Sequence, residues 1–89
     1  MADASIARAG LEGAVARFPH AASMLRRLAL ADRKLREICE EHALARQSLA
    51  RFEACPDAAE RPEIGDCRSV IAEIEGEIDR FLREARPER

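Results

Sequence analysis

An all-α fold built on an antiparallel, coiled-coil-like helical hairpin is what this 89-residue chain predicts, on three observations. Ala, Leu, Arg and Glu dominate, Trp and Tyr are absent, and only Phe18, Phe52 and Phe81 supply aromatic rings, a composition of long helices rather than sheets. Proline falls only at positions 19, 56, 62 and 87, so residues 19–54 and 62–86 form two stretches with no proline in their interior. Both stretches repeat apolar residues at a 3.5-residue period, the signature of helices packed as coiled-coil neighbours. A chain this short buries a small core, and a lone two-helix hairpin is short of apolar contacts. A four-helix arrangement formed by dimerisation is the expected remedy.

Residues 1–18 form a weakly helical or flexible segment. Asp3 is positioned to cap a short helix with an apolar face of Ala7, Leu11, Ala14, Val15 and Phe18, although Gly10 and Gly13 each weaken it by about 1 kcal/mol relative to Ala. Helix one follows over about 19–54. It must end there because Cys55 precedes Pro56 and is pushed out of the α region. In the connection, Asp57 and Glu60 have the spacing of a capping box, and Pro62 with Glu63 reads as a first helical turn. Helix two then runs over about 62–86 and is stopped by Pro87.

A heptad laid over helix one places Ala21, Leu28, Leu35, His42 and Leu49 at position a, with Met24, Ala31, Ile38, Ala45 and Phe52 at d. Helix two supplies Ile64, Ile71, Ile78 and Ala85 at a, with Cys67, Ile74 and Phe81 at d. His42 is the one polar residue of this seam, level with Ile74 across an antiparallel pair. A buried imidazole needs a hydrogen-bond partner, and one polar seam residue can fix register.

The stretch ICEEH at 38–42 raises the question of a metal site, since Cys39 and His42 enclose two carboxylates. Zinc needs about four ligands within roughly 2.0–2.3 Å of one ion. Cys55 lies thirteen residues past His42, roughly 20 Å along the helix, and Cys67 packs near that far end. No metal and no other cofactor is therefore expected. The Cys55-Pro56 dipeptide, which matches some haem-responsive segments, reads as a proline-stopped helix. An odd number of cysteines without a CxxC pair reads as free thiols. The longest uncharged run near the N-terminus, residues 18–25, falls far below the roughly 20 apolar residues of a membrane span and is too short for a signal-peptide core. A soluble, cytoplasmic protein is expected, with no membrane contact.

The net charge of −2 hides a separation. Glu37, Glu40 and Glu41 stand level with Glu73, Glu75, Glu77 and Asp79 as an acidic belt. Arg26, Arg27, Arg33, Lys34 and Arg36 gather with Arg80, Arg83, Arg86 and Arg89 at the open end. Much of this is offset by pairs such as Arg33 with Glu37 and Asp79 with Arg83. Helix one should reach roughly 54 Å against some 37 Å for helix two, leaving Met24, Leu25, Leu28 and Leu30 in an overhang that needs cover. Met24, Leu25, Leu28 and Leu35 are accordingly the candidate oligomer interface.

The order Phe18-Pro19, Asp32-x2-Leu35-x2-Ile38-x3-His42-x2-Ala45-x3-Leu49 and Ile71-x2-Ile74-x3-Ile78-x3-Leu82 resembles the YdcH-like family of small bacterial helical hairpins, over roughly residues 18–83. In that family the Leu35 position is often Phe and the His42 position often Tyr or His, which implies a packing role for His42. This chain departs in having His20 after the proline, Ala45 where a larger apolar residue is usual, and an extra N-terminal segment. The resemblance implies a fold and carries no activity or catalytic residues.

The expected function is that of a small self-associating interaction or adaptor protein, a homodimer open to a further protein partner and without catalytic activity. Ser5, Ser23, Ser48 and Ser69 have no histidine at catalytic spacing, and two packed helices offer little concavity for an active site. The alternative is an anionic partner, nucleic acid or the ribosome, held by Arg26, Arg27, Arg33 and Lys34 at the basic open end. Nucleic acid is disfavoured, because no aromatic ring stands there to stack on bases.

Overall fold

The computed structural model describes residues 2–85, with side chains from position 10 onward. Among these residues the chain is all-helical and contains no strand. Four α-helices follow one another, α1 (Ala2–Arg17), α2 (Ala22–Ala31), α3 (Arg33–Glu53) and α4 (Pro62–Ala85), with 3₁₀ turns at Pro19–Ala21 and Ala58–Glu60. Arg86, Pro87 and Arg89, invoked above for the helix stop and the basic end, lie outside the described residues, as do the side chains of Asp3 and Ala7.

The expected helix over 19–54 is corrected at two points. Pro19 opens a 3₁₀ turn rather than an α-helix, and Asp32 divides the remainder into α2 and α3. Asp32 leaves the helical region, with φ −119° and ψ 108°. Its N–H closes α2 on Leu28 O at 2.8 Å, while its Oδ1 accepts the Leu35 N–H at 3.1 Å. One residue thus ends one helix and caps the next, as an aspartate at an N-cap does. Arg36 completes the joint by donating Nη1 to Ala29 O at 2.7 Å and Leu30 O at 3.3 Å, which satisfies carbonyls that α2 leaves without a helical partner.

The break resets the helical phase. In α2 the buried residues are Leu25 and Ala29, four apart on one face, not the expected seam of Met24, Leu28 and Ala31. Met24 and Leu28 are only partly buried, and Ala31 is exposed. Past the break the expected register returns, with Leu35, Ile38 and His42 buried on α3 and Ile74 and Ile78 on α4. Leu82 is buried in place of its neighbour Phe81, which is half-buried. In the connection Asp57 caps nothing. Its carboxylate instead accepts Arg61 Nε at 3.1 Å, while Pro62 does open α4.

α1 supplies the cover that α2 and α3 need. Its Ala14 and the following Phe18 join one core cluster with Leu25, Leu35, Ile38, Cys39, Ile74, Ile78 and Leu82, and Leu11 and Val15 pack against it. This corrects the interface expected between copies. Leu25 and Leu35 are 0% exposed within the single chain, and Met24 and Leu28 pack on the same core.

Gly10 explains how closely α1 approaches. A Cβ there would stand 2.7 Å from Cys39 O, 2.8 Å from Cys39 C and 2.9 Å from Glu40 N. Those are backbone atoms of α3, which cannot swing aside as a side chain could. At Gly13 the nearest atom to a Cβ would be His42 Nδ1 at 3.8 Å, an ordinary contact. The two glycines should therefore part company in unfolding experiments. Gly10→Ala is expected to lower stability by about 1–3 kcal/mol through overpacking, and Gly13→Ala to raise it by up to about 1 kcal/mol through helix propensity. Equal shifts for the two substitutions in urea unfolding would contradict the close crossing.

Candidate interaction surface

His42 lies at the centre of the folded end and is 0% exposed. Its Nε2–H donates to Glu75 Oε2 of α4 at 2.9 Å, and Glu75 Oε1 accepts Arg17 Nε of α1 at 3.0 Å. α1, α3 and α4 are thereby joined by one polar chain at the edge of the apolar core. Nδ1 of the ring has no partner among the described residues and stands beside Gly13. Arg17 also lies over the Phe18 ring, 5.1 Å from its centroid.

Burial alone would push the Glu75 carboxyl up. The hydrogen bonds from His42 and Arg17, and their charges, outweigh it and hold the carboxyl below its ordinary value. Cys39, one turn before His42, is buried, and that burial, assisted by the neighbouring Glu40 charge, pushes its thiol up to about 11. It is a packed thiol rather than a nucleophile. The backbone of Cys39 passes Gly10 of α1, while the His42 ring turns to Glu75. Cys55 donates its thiol to Arg51 O at the other end of α3. Among the described residues no group of three or more His, Cys, Asp or Glu side chains is gathered for a metal ion.

The candidate cations at the open end are dispersed over different tasks. Arg26 pairs with Glu12 at 3.1 Å and Arg33 with Glu37 at 3.4 Å. Arg36 caps α2, and Arg83 pairs with Asp79. Arg27 lines one shallow dent with His20, Asp79 and Arg83, and Lys34 lines another with Glu77, Arg80 and Glu84. They do not converge on a single site.

The opposite half of the molecule is far more open. Among the described residues, every buried one lies within 10–42 or 74–82, and none falls between 43 and 73. Ala45, Leu49, Phe52, Ile64, Cys67 and Ile71, all seam positions, are only half-buried there. Leu44 and Val70 are 51% and 46% exposed. Glu53 accepts Arg68 Nη2 at 3.0 Å across this half, and Arg61 lies 5.8 Å from the centroid of the Phe52 ring. α3 and α4 touch here, joined across the pair by Glu53 and Arg68.

The α3–α4 pair also has two unlike flanks. One carries α1 at Cys39, His42 and Glu75. The other holds the dent lined by Lys34, Ile38, Glu77, Arg80, Phe81 and Glu84. Steps of seven residues return to the same helix face. The row of Glu77 therefore continues through Val70 to Glu63, and that of Lys34 through Glu41 to Ser48, beside Leu44 and Arg51.

No family model, curated protein or solved structure matches this chain. Among the described residues no helix is long and apolar enough to cross a membrane.

Seam periodicity points to His42, whereas the roles of Gly10, Arg17 and Arg36 are set by distant partners. Arg17 had no signal, because its partner is 58 positions away in the chain. Glu75 was visible as the residue after Ile74, the expected neighbour of His42. Because its carboxyl is depressed in the folded state, Glu75 stabilises the fold above its unfolded value and loses that contribution as pH falls through the folded one. Stability should thus decline with acid below about pH 4.5, the ordinary glutamate value, and Glu75→Gln should flatten this limb. Urea midpoints measured between about pH 2 and pH 6 test it; an identical acid limb in both proteins would refute the assignment.

Proposed function

We propose that this protein is a noncatalytic, self-associating helical interaction protein, in which α3 and α4 form an antiparallel hairpin whose connection-side half is the docking surface. Two such hairpins joined there make a four-helix arrangement. The observation that carries this reading is the one-sided burial: nothing from 43 to 73 is buried, although Leu49, Phe52, Ile64 and Ile71 lie there at seam spacing. Two helices alone leave such a seam open to water on both sides, and a further pair of helices closes it. The hairpin is supported by two contacts, His42 with Glu75 and Glu53 with Arg68, since the partner number falls on α4 as the position rises on α3. The likeness to YdcH-like hairpins supports the same pairing through its seam positions and adds no activity.

The surface lies at the end opposite to the one the heptad pattern suggested, because α1 covers Leu25 and Leu35 within the chain. The noncatalytic reading is supported by the state of the titratable groups that do converge. His42 is sealed in the core, Glu75 is held by two partners, and the Cys39 thiol is raised by burial. Binding of an anionic partner through Arg26, Arg27, Arg33 and Lys34 draws less support, because Arg26 and Arg33 are already engaged with carboxylates.

Sedimentation at concentrations in the tens of micromolar tests the proposal. The wild-type chain is expected at twice its monomer mass, and Leu49→Glu at the monomer mass with unchanged helical circular dichroism, since a buried carboxylate opposes closure of the seam. A monomeric wild-type chain, or a Leu49→Glu variant that still dimerises, would overturn it.

A further inference from the structure

The charge on the two helices says how the second copy is oriented. We propose that it docks on the flank of α3 and α4 that faces away from α1, with α3 of each copy lying along α4 of the other. This rests on the self-association proposed above and specifies its geometry. On that flank α4 presents the exposed Asp66 and Glu73, neither of which forms an ion pair among the described residues. Arg51 of α3 is likewise without an ion pair among them.

Height along the pair places these groups level with one another. The contact of His42 with Glu75 sets Arg51 opposite position 66, and that of Glu53 with Arg68 sets it opposite position 70. A two-fold axis running along the hairpins keeps these heights and exchanges the helices, so Arg51 of each copy meets the Asp66 to Val70 region of the other. Packing α4 on α4 would instead set one acidic row against another, and like charges across an interface select against that arrangement. Leu44 and Val70, exposed on the free chain, supply apolar area on either side of the ionic contact. A single self-complementary surface of this kind closes as a two-fold dimer and does not propagate.

Charge exchange provides the test. Arg51→Glu alone and Asp66→Lys alone each place like charges at both symmetric contacts, and each is expected to weaken self-association on the order of tenfold. Mixed in equal amounts, the two variants regain opposite charges at both contacts, so a heterodimer forms with close to wild-type affinity. Native mass spectrometry distinguishes it by mass, and circular dichroism confirms that each variant remains helical. Recovery on mixing supports α3-to-α4 pairing. If Leu49→Glu separates the copies but the two charge variants associate as the wild type does, or mixing restores nothing, self-association stands and this orientation falls. A wild-type chain that is monomeric throughout removes both.

Discussion

Asp32 is the joint on which the remaining arrangement turns. Its extended backbone stops α2, its carboxylate caps α3, and Arg36 reaches back to the carbonyls so exposed. Had 19–54 continued as one rod, its apolar stripe would have extended beyond α4 with nothing to meet it. The break lets α2 present Leu25 and Ala29 instead, and α1 closes over them. That closure depends on a second constraint, the missing Cβ at Gly10, which brings two helix backbones to near contact. Packing of this kind follows from how small the residue at a crossing is, since interiors tolerate little overpacking.

The polar chain through His42 sits where these helices meet. A buried imidazole is costly without a partner, whereas a carboxylate that is itself held by Arg17 gives it one. The same three side chains tie α1 to α3 and α4, so they favour one docking of the N-terminal helix over others that apolar contacts alone would allow. The benefit is partial, because Nδ1 keeps no partner among the described residues. Small Gly13 beside it leaves room that a larger side chain would fill.

Residues with local signals were legible in the sequence, and those whose roles are set across the chain were not. Leu35, Ile38, His42, Ile74 and Ile78 were visible because each repeats on a heptad face, and Pro62 marked the start of α4 by its lack of an N–H. Asp32 was hidden, because Leu28 and Leu35 lie seven apart and the seam runs over it without interruption. Only its identity as a capping residue hinted at a break, and no Glu or Gln stands at position 35 to complete a capping box. Gly10 counted as a helix-weakening residue by propensity, although its use is tertiary. The location of the open surface was inverted for the same reason. Periodicity tells which face of a helix is apolar but not which other segment covers it; here Ala14, Leu11 and Val15 of α1 do so, with Gly10 at the close crossing.

Burial confined to one end should leave a mark on local stability. Native-state hydrogen exchange on the dilute Leu49→Glu chain reads this residue by residue. Amides of 35–42 and 74–82 should exchange only through global unfolding, while those of 43–53 and 62–73 open at visibly lower free energy. Uniform protection along both α3 and α4 in that variant would contradict a core closed at one end and open at the other.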